Sequence, residues 1–558
     1  MKKIISMILA TTVSLGCLVF SASCKPQSNV VKEPKTVNIK LYKAGFDEVF
    51  ARELQDKFNA VFAEEGYKMN ISSAEHGNSG VKMVEEMYMG YEDQGIDLYI
   101  TGAIMPNQVS PVGEFGELCI DLREIVFNQP AINYDGTFTA DKISDRLSED
   151  FVPYLCADNG KMYGFTWAQT SAGMVVNTKK LASYGFTELP RTTDEMFEMF
   201  DAIYNGANGI AGSETTKTYP LTYTLVDAAT YQNGAFLTWY AQYGVENYNN
   251  FLRFQTDNGD GTWTNIENAY TMFDDPALVD VFTASYQIMD EKYAAAGSTT
   301  HKLNQAQALI MKEANSQNNA VFMLNGDWFL NEVKAEYSNQ LHDIEFMNVP
   351  VISALGIKLF GEGTAYGLSD ETCDSILSAI CKMVDENKTI AEIKAQIKAD
   401  FDVELADADI QAVASARGTC FSRGIEHLAF IHKDSPKKDI AALVLRMMAS
   451  KDFADTFMRT ANGSSPYSNT TEPSPYKFIN QAQALVTNRY FRAINSRVQG
   501  LRFSVMATDA YIPHISDTAL AGELLHKPST LTYRQAAAEL ILKGRQEAQA
   551  KWNRYFNK

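Results

Sequence analysis

The sequence predicts an α/β protein of at least two domains, built on doubly wound parallel sheet. Three observations carry this. Residues 37–104 alternate strand, helix, strand, helix, strand. The strand IDLYITGAI (96–104) is apolar almost throughout, as a parallel strand covered on both faces has to be. The chain has 558 residues, more than one hydrophobic core serves.

The elements follow in order. VNIKLY (37–42) alternates as a strand, and the stretch after it sets Phe50, Leu54, Phe58, Val61 and Phe62 near one helical face. GYKMNISS is a second strand, and a helix is expected around Val81–Tyr91. A second region opens at GKMYGFTWAQTSAGMVVNTKKL (160–181), two strand-like pieces around a polar centre. PRTTDEMFEMFDAI carries a helix start, with Thr193 or Thr192 as cap and acids in the first turn. TDNGDGTWTNI is a hairpin whose turn runs from Asn258 to Gly261. Glycines at 259 and 261 stand where a calcium loop needs oxygen donors, so no metal is expected there. NNAVFMLNGDWFLNEV reads as an apolar strand, a turn and a helix start. Residues 351–424 look like an insertion, with TIAEIKAQIKADF and DADIQAVASARG at helical spacing and Gly418 closing the second. GIEHLAFIHKDS returns to strand, PKKDIAALVLRMMASKDFADTFM is amphipathic helix, and the chain ends in helices.

The N-terminus has the layout of a secretory signal: Lys2 and Lys3, an uncharged run to Phe20, then small residues before Cys24. That run is too short to span a membrane as a helix. The formal charge of −19 repels phosphate backbones and argues against nucleic-acid binding. Beyond Cys17 and Cys24 the cysteines are Cys119, Cys156, Cys373, Cys381 and Cys420, none in CxxC spacing. They read as buried small hydrophobes, with one disulfide as the alternative.

LVFSASCKPQS resembles the lipobox of bacterial lipoproteins, with Ser21 where Leu is usual. The resemblance makes Cys24 the lipidated first residue of a mature chain, residues 1–23 the signal and 24–36 a tether. Cys17 is the competing site, and an unlipidated secretory signal the plainer reading. GKMYGFTWAQTSAGMVVNTKKLASYGFTELPRTTDEMFEMF, AVFMLNGDWFL and GIEHLAFIHKDSPKKDIAALVLRMMAS, in that order, resemble the extracellular solute-binding proteins of family 1. This is the maltose-binding-protein-like branch, which serves ATP-driven sugar importers. It implies a two-lobed type II periplasmic-binding-protein fold with a ligand cleft and three hinge crossings, near 160–176, 348–425 and 462–468. One lobe would take 37–160 and 425–462, the other 161–350 and 463–558, with 351–424 inserted near the hinge. It also implies a monomer with no cofactor and no metal, held by lipid at the outer face of the cell membrane. Its partners would be a small solute and the transmembrane subunits of an ABC permease.

A sugar site needs flat aromatic faces for the pyranose CH surface and planar polar groups for its hydroxyls. The candidates in the second lobe are Asp327 and Trp328 of NGDW, and Phe236, Trp239 and Tyr240 of GAFLTWYAQYG. At the crossings they are Trp167, Gln169, Thr170 and Tyr467. In the first lobe they are Phe46, Asp47, Met105 and Asn107, on loops at the carboxyl ends of strands. Core packing is the competing role for each aromatic, and a helix cap for Asp47. His76 reads as a solvated loop residue. Two rival classes remain. One is a surface-anchored glycoside hydrolase, though no GxSxG, HExxH or Walker pattern occurs. The other is a diverged surface protein that keeps the fold without transport.

Overall fold

The computed structural model describes residues 35–43, 45–75, 79–101, 118–155, 161–207, 217–226, 230–258, 263–422, 427–467, 471–495, 503 and 524–556. Cys24, His76, Met105, Asn107 and Cys156 lie outside them. Residues 35–558 form one compact unit.

The chain opens with β1 (Thr36–Lys43), α1 (Val49–Val61), β2 (Lys68–Glu75), α2 (Ser79–Met89) and β3 (Leu98–Ile100). β1 lies between β2 and β3 and runs parallel to both. Val37, Ile39 and Leu41 are buried at period two, and α1 buries Phe50, Leu54 and Phe58 at the spacing of one helical stripe. Asp47 is exposed and does not cap α1; it stands at φ +58° and its carboxylate accepts the N–H of Glu48 at 2.8 Å. A hairpin of β4 (Pro130–Ile132) and β5 (Phe138–Lys142) follows, then β6 (Phe165–Thr166).

The second sheet begins with β7 (Ala172–Asn177), followed by α3 (Thr193–Asn205), β8 (Thr218–Thr222) and α4 (Thr230–Ala241). Thr192 is the α3 cap, in a capping box with Glu195. The expected hairpin is β9 (Gln255–Asp257) with β10 (Trp263–Asn265). β11 (Asn319–Gly326) is buried along its whole length and leads through a turn into α5 (Phe329–Tyr337) and β12 (Ile344–Met347). Then come the helices α6 (Ser353–Phe360), α7 (Asp370–Asp385), α8 (Ile390–Phe401) and α9 (Asp407–Gly418), and β13 (Thr419–Phe421).

The chain then returns to the first sheet as β14 (Leu428–Ile431), α10 (Lys438–Met448) and α11 (Lys451–Ala461). It ends beside the second sheet with α12 (Lys477–Thr487), β15 (Arg492–Ile494) and α13 (Tyr533–Tyr555). The first sheet has order β2-β1-β3-β14-β6; the second has order β15-β13-β7-β11-β8, with β12 also on β7. Both sheets are mixed rather than purely parallel: β14 runs antiparallel to β3 and β6, and β11 and β12 run antiparallel to β7. In the first sheet the antiparallel pairing enters where the chain comes back from the other lobe.

Residues 351–418 pack on the second sheet's side. Ser353 bonds Thr193, and Asp374 accepts from the Thr192 hydroxyl at 3.0 Å. Arg417 forks onto Asp385 at 2.8 and 2.9 Å. Gly418 does not end α9 through a left-handed turn. It is required by contact, since a Cβ there would overlap the Tyr490 carbonyl. Gly418→Ala is therefore expected to cost about 1–3 kcal/mol of stability, read as a lower urea midpoint. An unchanged midpoint would mean that the 488–492 backbone yields freely. Cys119, Cys373, Cys381 and Cys420 are free, buried thiols, and burial lifts the last two to about 12. Among the described residues no helix is long and apolar enough to cross a membrane.

Candidate functional site

The chain passes between the sheets three times: at 167–171, between β13 and β14, and at 462–467. The first lies between the other two. Trp167 N–H donates to His427 O at 3.0 Å, and the Ser422 hydroxyl to Thr170 O at 2.7 Å. Gln169 N–H donates to Ser464 O at 2.8 Å, and the Tyr467 hydroxyl to Thr166 O at 2.8 Å. Buried backbone at such a junction lacks water, so the strands satisfy one another. The second crossing lies between β13 and β14. Residues 348–421, which the family pattern drew into it, stay with the second sheet.

The candidate aromatics divide by burial. Trp167 is 1% exposed, stacks on Phe50 at 5.5 Å and donates its indole N–H to Thr101 O at 3.0 Å. Phe46 sets its edge against it and against Phe457. Trp239 donates to Pro350 O at 3.0 Å, and the Tyr240 hydroxyl to Asp275 at 3.1 Å. Phe236 stacks on Trp239, and Tyr467 on Phe165 at 5.2 Å. In these residues the ring is buried and each polar handle, where present, is satisfied inside the protein. Phe46, Trp167, Phe236, Trp239, Tyr240 and Tyr467 thus all pack inside the protein here, the role that competes with stacking for each of them.

Trp328 differs. It is half-buried at the carboxyl end of β11, its ring folded back over Gly326, where a Cβ would overlap three indole carbons. Its Nε1–H donates to the Tyr231 hydroxyl at 3.1 Å, with ring centroids 5.5 Å apart. Sequence reasoning did not single out Gly326 or Tyr231. The glycine before Asp-Trp was the available signal; Tyr231 comes from α4, and nothing local marks it.

Polar groups collect nearby in sequence and strand register. Gln169 and Thr170 are buried in the first crossing, and the Thr170 hydroxyl has no partner among the described residues. The same holds for Thr222, which ends β8 beside Met323 of β11. Asp327 accepts the Ser171 N–H on Oδ2 at 3.0 Å and donates its own N–H to Ser171 O at 3.0 Å. Burial lifts its carboxyl to about 8, against the backbone N–H groups of Ser171 and of Asp327 itself, which favour the charged form.

The folded state therefore keeps a proton that the unfolded chain releases near pH 4. That contribution to stability is whole below about pH 4 and is lost as pH rises through about 8. Asp327→Asn should remove it. The melting-temperature difference, mutant minus wild type, should climb from pH 5 to pH 8.5, and a constant difference would contradict the assignment. No group of three or more His, Cys, Asp or Glu able to hold a metal occurs among the described residues.

No family model matches this sequence, and no curated protein matches it. Solved structures do. The bacterial solute receptor AcbH, described with an exclusive preference for β-D-galactopyranose, aligns at 12% identity over 93% of this chain and 100% of that one, TM-score 0.54. A chitin oligosaccharide binding protein aligns at 12% over 93% and 99%, TM-score 0.53. The binding protein RafE, in complex with raffinose, aligns at 12% over 92% and 99%, TM-score 0.52. At these identities the likeness establishes the fold: this chain has the two-lobed α/β architecture of solute-binding proteins.

Proposed function

We propose that this protein is the solute-binding component of an ATP-driven importer and that it captures a carbohydrate between its lobes. The observation that carries the reading is the mounting of Trp328. Gly326 and Tyr231 hold a half-buried indole at the end of a central strand, next to the turn that contacts the first crossing. A flat apolar face with buried hydroxyl groups in the same region, Thr170 and Thr222, suits a pyranose. The receptors that share the fold are described with a galactopyranose, a chitin oligosaccharide and raffinose. Gln169, Asp327, Asp47, Met105 and Asn107 are the candidates for the rest of the site. The protein acts as a binder without turnover, anchored through lipid on Cys24 at the outer face of the membrane, and hands its solute to the permease subunits.

Ligand that touches both lobes only when they close shifts the population towards closure. The test is a thermal-shift screen with D-galactose, raffinose and chitin oligosaccharides, followed by small-angle scattering on any positive. Ligand at 100 times its dissociation constant adds about 2.7 kcal/mol of stability. A rise in melting temperature with a smaller radius of gyration is expected, and the sugar should be recovered intact. Cleaved sugar would favour the hydrolase, and no shift with any carbohydrate would favour the diverged surface protein.

A further inference from the structure

We propose that residues 327–331 form a latch that couples the hinge to the position of the Trp328 ring, with Asn331 and Asn462 as its positioning residues. The turn that carries Trp328 is tied at both ends to different crossings. At one end Asp327 exchanges two hydrogen bonds with Ser171, on the first crossing, both at 3.0 Å. At the other, the Asn331 side-chain amide donates to Ala461 O at 2.6 Å and accepts from the Asn462 side-chain amide at 2.8 Å. Ala461 is the last residue of α11, which packs on α1 in the first lobe; Asn331 lies in the first turn of α5 in the second. The amide pair therefore spans the two lobes where the third crossing begins. Asn331 N–H also donates to Trp328 O at 2.9 Å, which joins the far tie to the ring's own backbone.

Asn462 is shaped for this part. It stands at φ +49°, closing α11 in the left-handed conformation that asparagine tolerates better than most residues. That turn presents its side chain to Asn331. Gly463 follows, where a Cβ would overlap the Phe457 ring, so the chain leaves the helix against the first-lobe aromatic core. When the lobes rotate, Ala461 and Asn462 move with the first lobe while Ser171 stays at the edge of β7. The 327–331 turn must then either follow, carrying Trp328, or release the Asn331–Asn462 pair. The first outcome makes the hinge and the ring one cooperative unit and is the one the latch requires; the second would break the tie.

The platform role of Trp328 rests on the function proposed above; the coupling itself does not, and it is tested without ligand. The experiment is amide hydrogen exchange by mass spectrometry on the ligand-free protein and on Asn462→Gly. Glycine keeps the left-handed backbone and removes only the side-chain amide. A coupled latch predicts faster exchange, about two- to tenfold, at Asp327 and Ser171 as well as around 461–464, although Asn462 touches neither distant residue. Asn331→Ala should give the same pattern. Exchange that changes only beside the mutated residue, with Ser171 and Asp327 unaffected, would overturn the coupling. If Asn331→Ala proves too unstable to measure, Asn462→Gly decides alone. Failure to bind any sugar would leave this exchange pattern intact, so the two readings fail separately.

Discussion

Trp328→Ala is expected to weaken carbohydrate binding by about ten- to a hundredfold. Stacking aromatics contribute roughly 1–3 kcal/mol per ring, and about 1.4 kcal/mol is a factor of ten in affinity. A core tryptophan forecasts something else, a loss of about 3–5 kcal/mol of fold stability. Trp328 is half-buried, between the end of β11 and the start of α5, so most of its loss should appear in affinity. Melting and titration on the same mutant separate the two. Tyr231→Phe gives the internal control: it keeps the neighbouring ring and removes the hydroxyl that holds Nε1. Its affinity loss should be smaller than that of Trp328→Ala, with melting nearly unchanged. Trp167→Ala should behave in the opposite manner, as a stability mutant, because its indole is closed in by Phe46, Phe50, His427 and Phe457. A large stability loss in Trp328→Ala with affinity preserved would move Trp328 to the core.

Lys437→Met should cost about 3–5 kcal/mol of stability in the first lobe. Lys437 Nζ lies 2.8 Å from Asp97, with side chains 6% and 0% exposed. Lys437 also donates to Thr36 O at 2.7 Å. Asp97 accepts in addition from Asn38 N–H, Tyr91 and Ser435 at 2.7, 2.7 and 2.6 Å. Removing the ammonium leaves a carboxylate in the interior without its counter-charge. The double mutant Asp97→Asn, Lys437→Met should recover part of the loss, since the uncompensated charge is gone. Urea midpoints measure both. A single mutant within about 1 kcal/mol of wild type would show that the site rehydrates on truncation. The pair fastens the returning segment, just before α10, to the starts of β1 and β3. With the β14–β3 pairing and the packing of α11 on α1, it joins 428–461 to a lobe whose first strand lies far earlier in the chain.

That pair also shows why part of the structure was legible and part was not. Helix stripes and strand alternation are local, so α1, α3, β1, β11 and the 256–266 hairpin lay open to reading by periodicity. The capping box at Thr192 is a four-residue signal, and the turn at Asp327–Trp328 stands out because a charged residue and a glycine interrupt an apolar strand. Asp97, by contrast, reads as the polar start of an apolar run, and Lys437 as one of several basic residues before a helix. Their meeting depends on strand order, which no window of a dozen residues contains.

The candidate site follows the same division. Aromatic residues at the crossings and in the 230–241 helix were visible by type, but type does not say which face of a ring is free. Trp167 and Trp239 have the composition of stacking platforms and the surroundings of core residues, because each indole N–H ends on a backbone carbonyl of a distant segment. Trp328 has nearly the same local signature and a different fate. A glycine two residues before it leaves room for the ring to lie back, and a tyrosine from another helix holds it there. Periodicity, capping and charge are properties of neighbours along the chain and could be read from its order alone. Exposure of a ring, pairing of a buried charge and the close approach that demands glycine at 418 are set by segments far apart in sequence, and they exist once packing has brought those segments together.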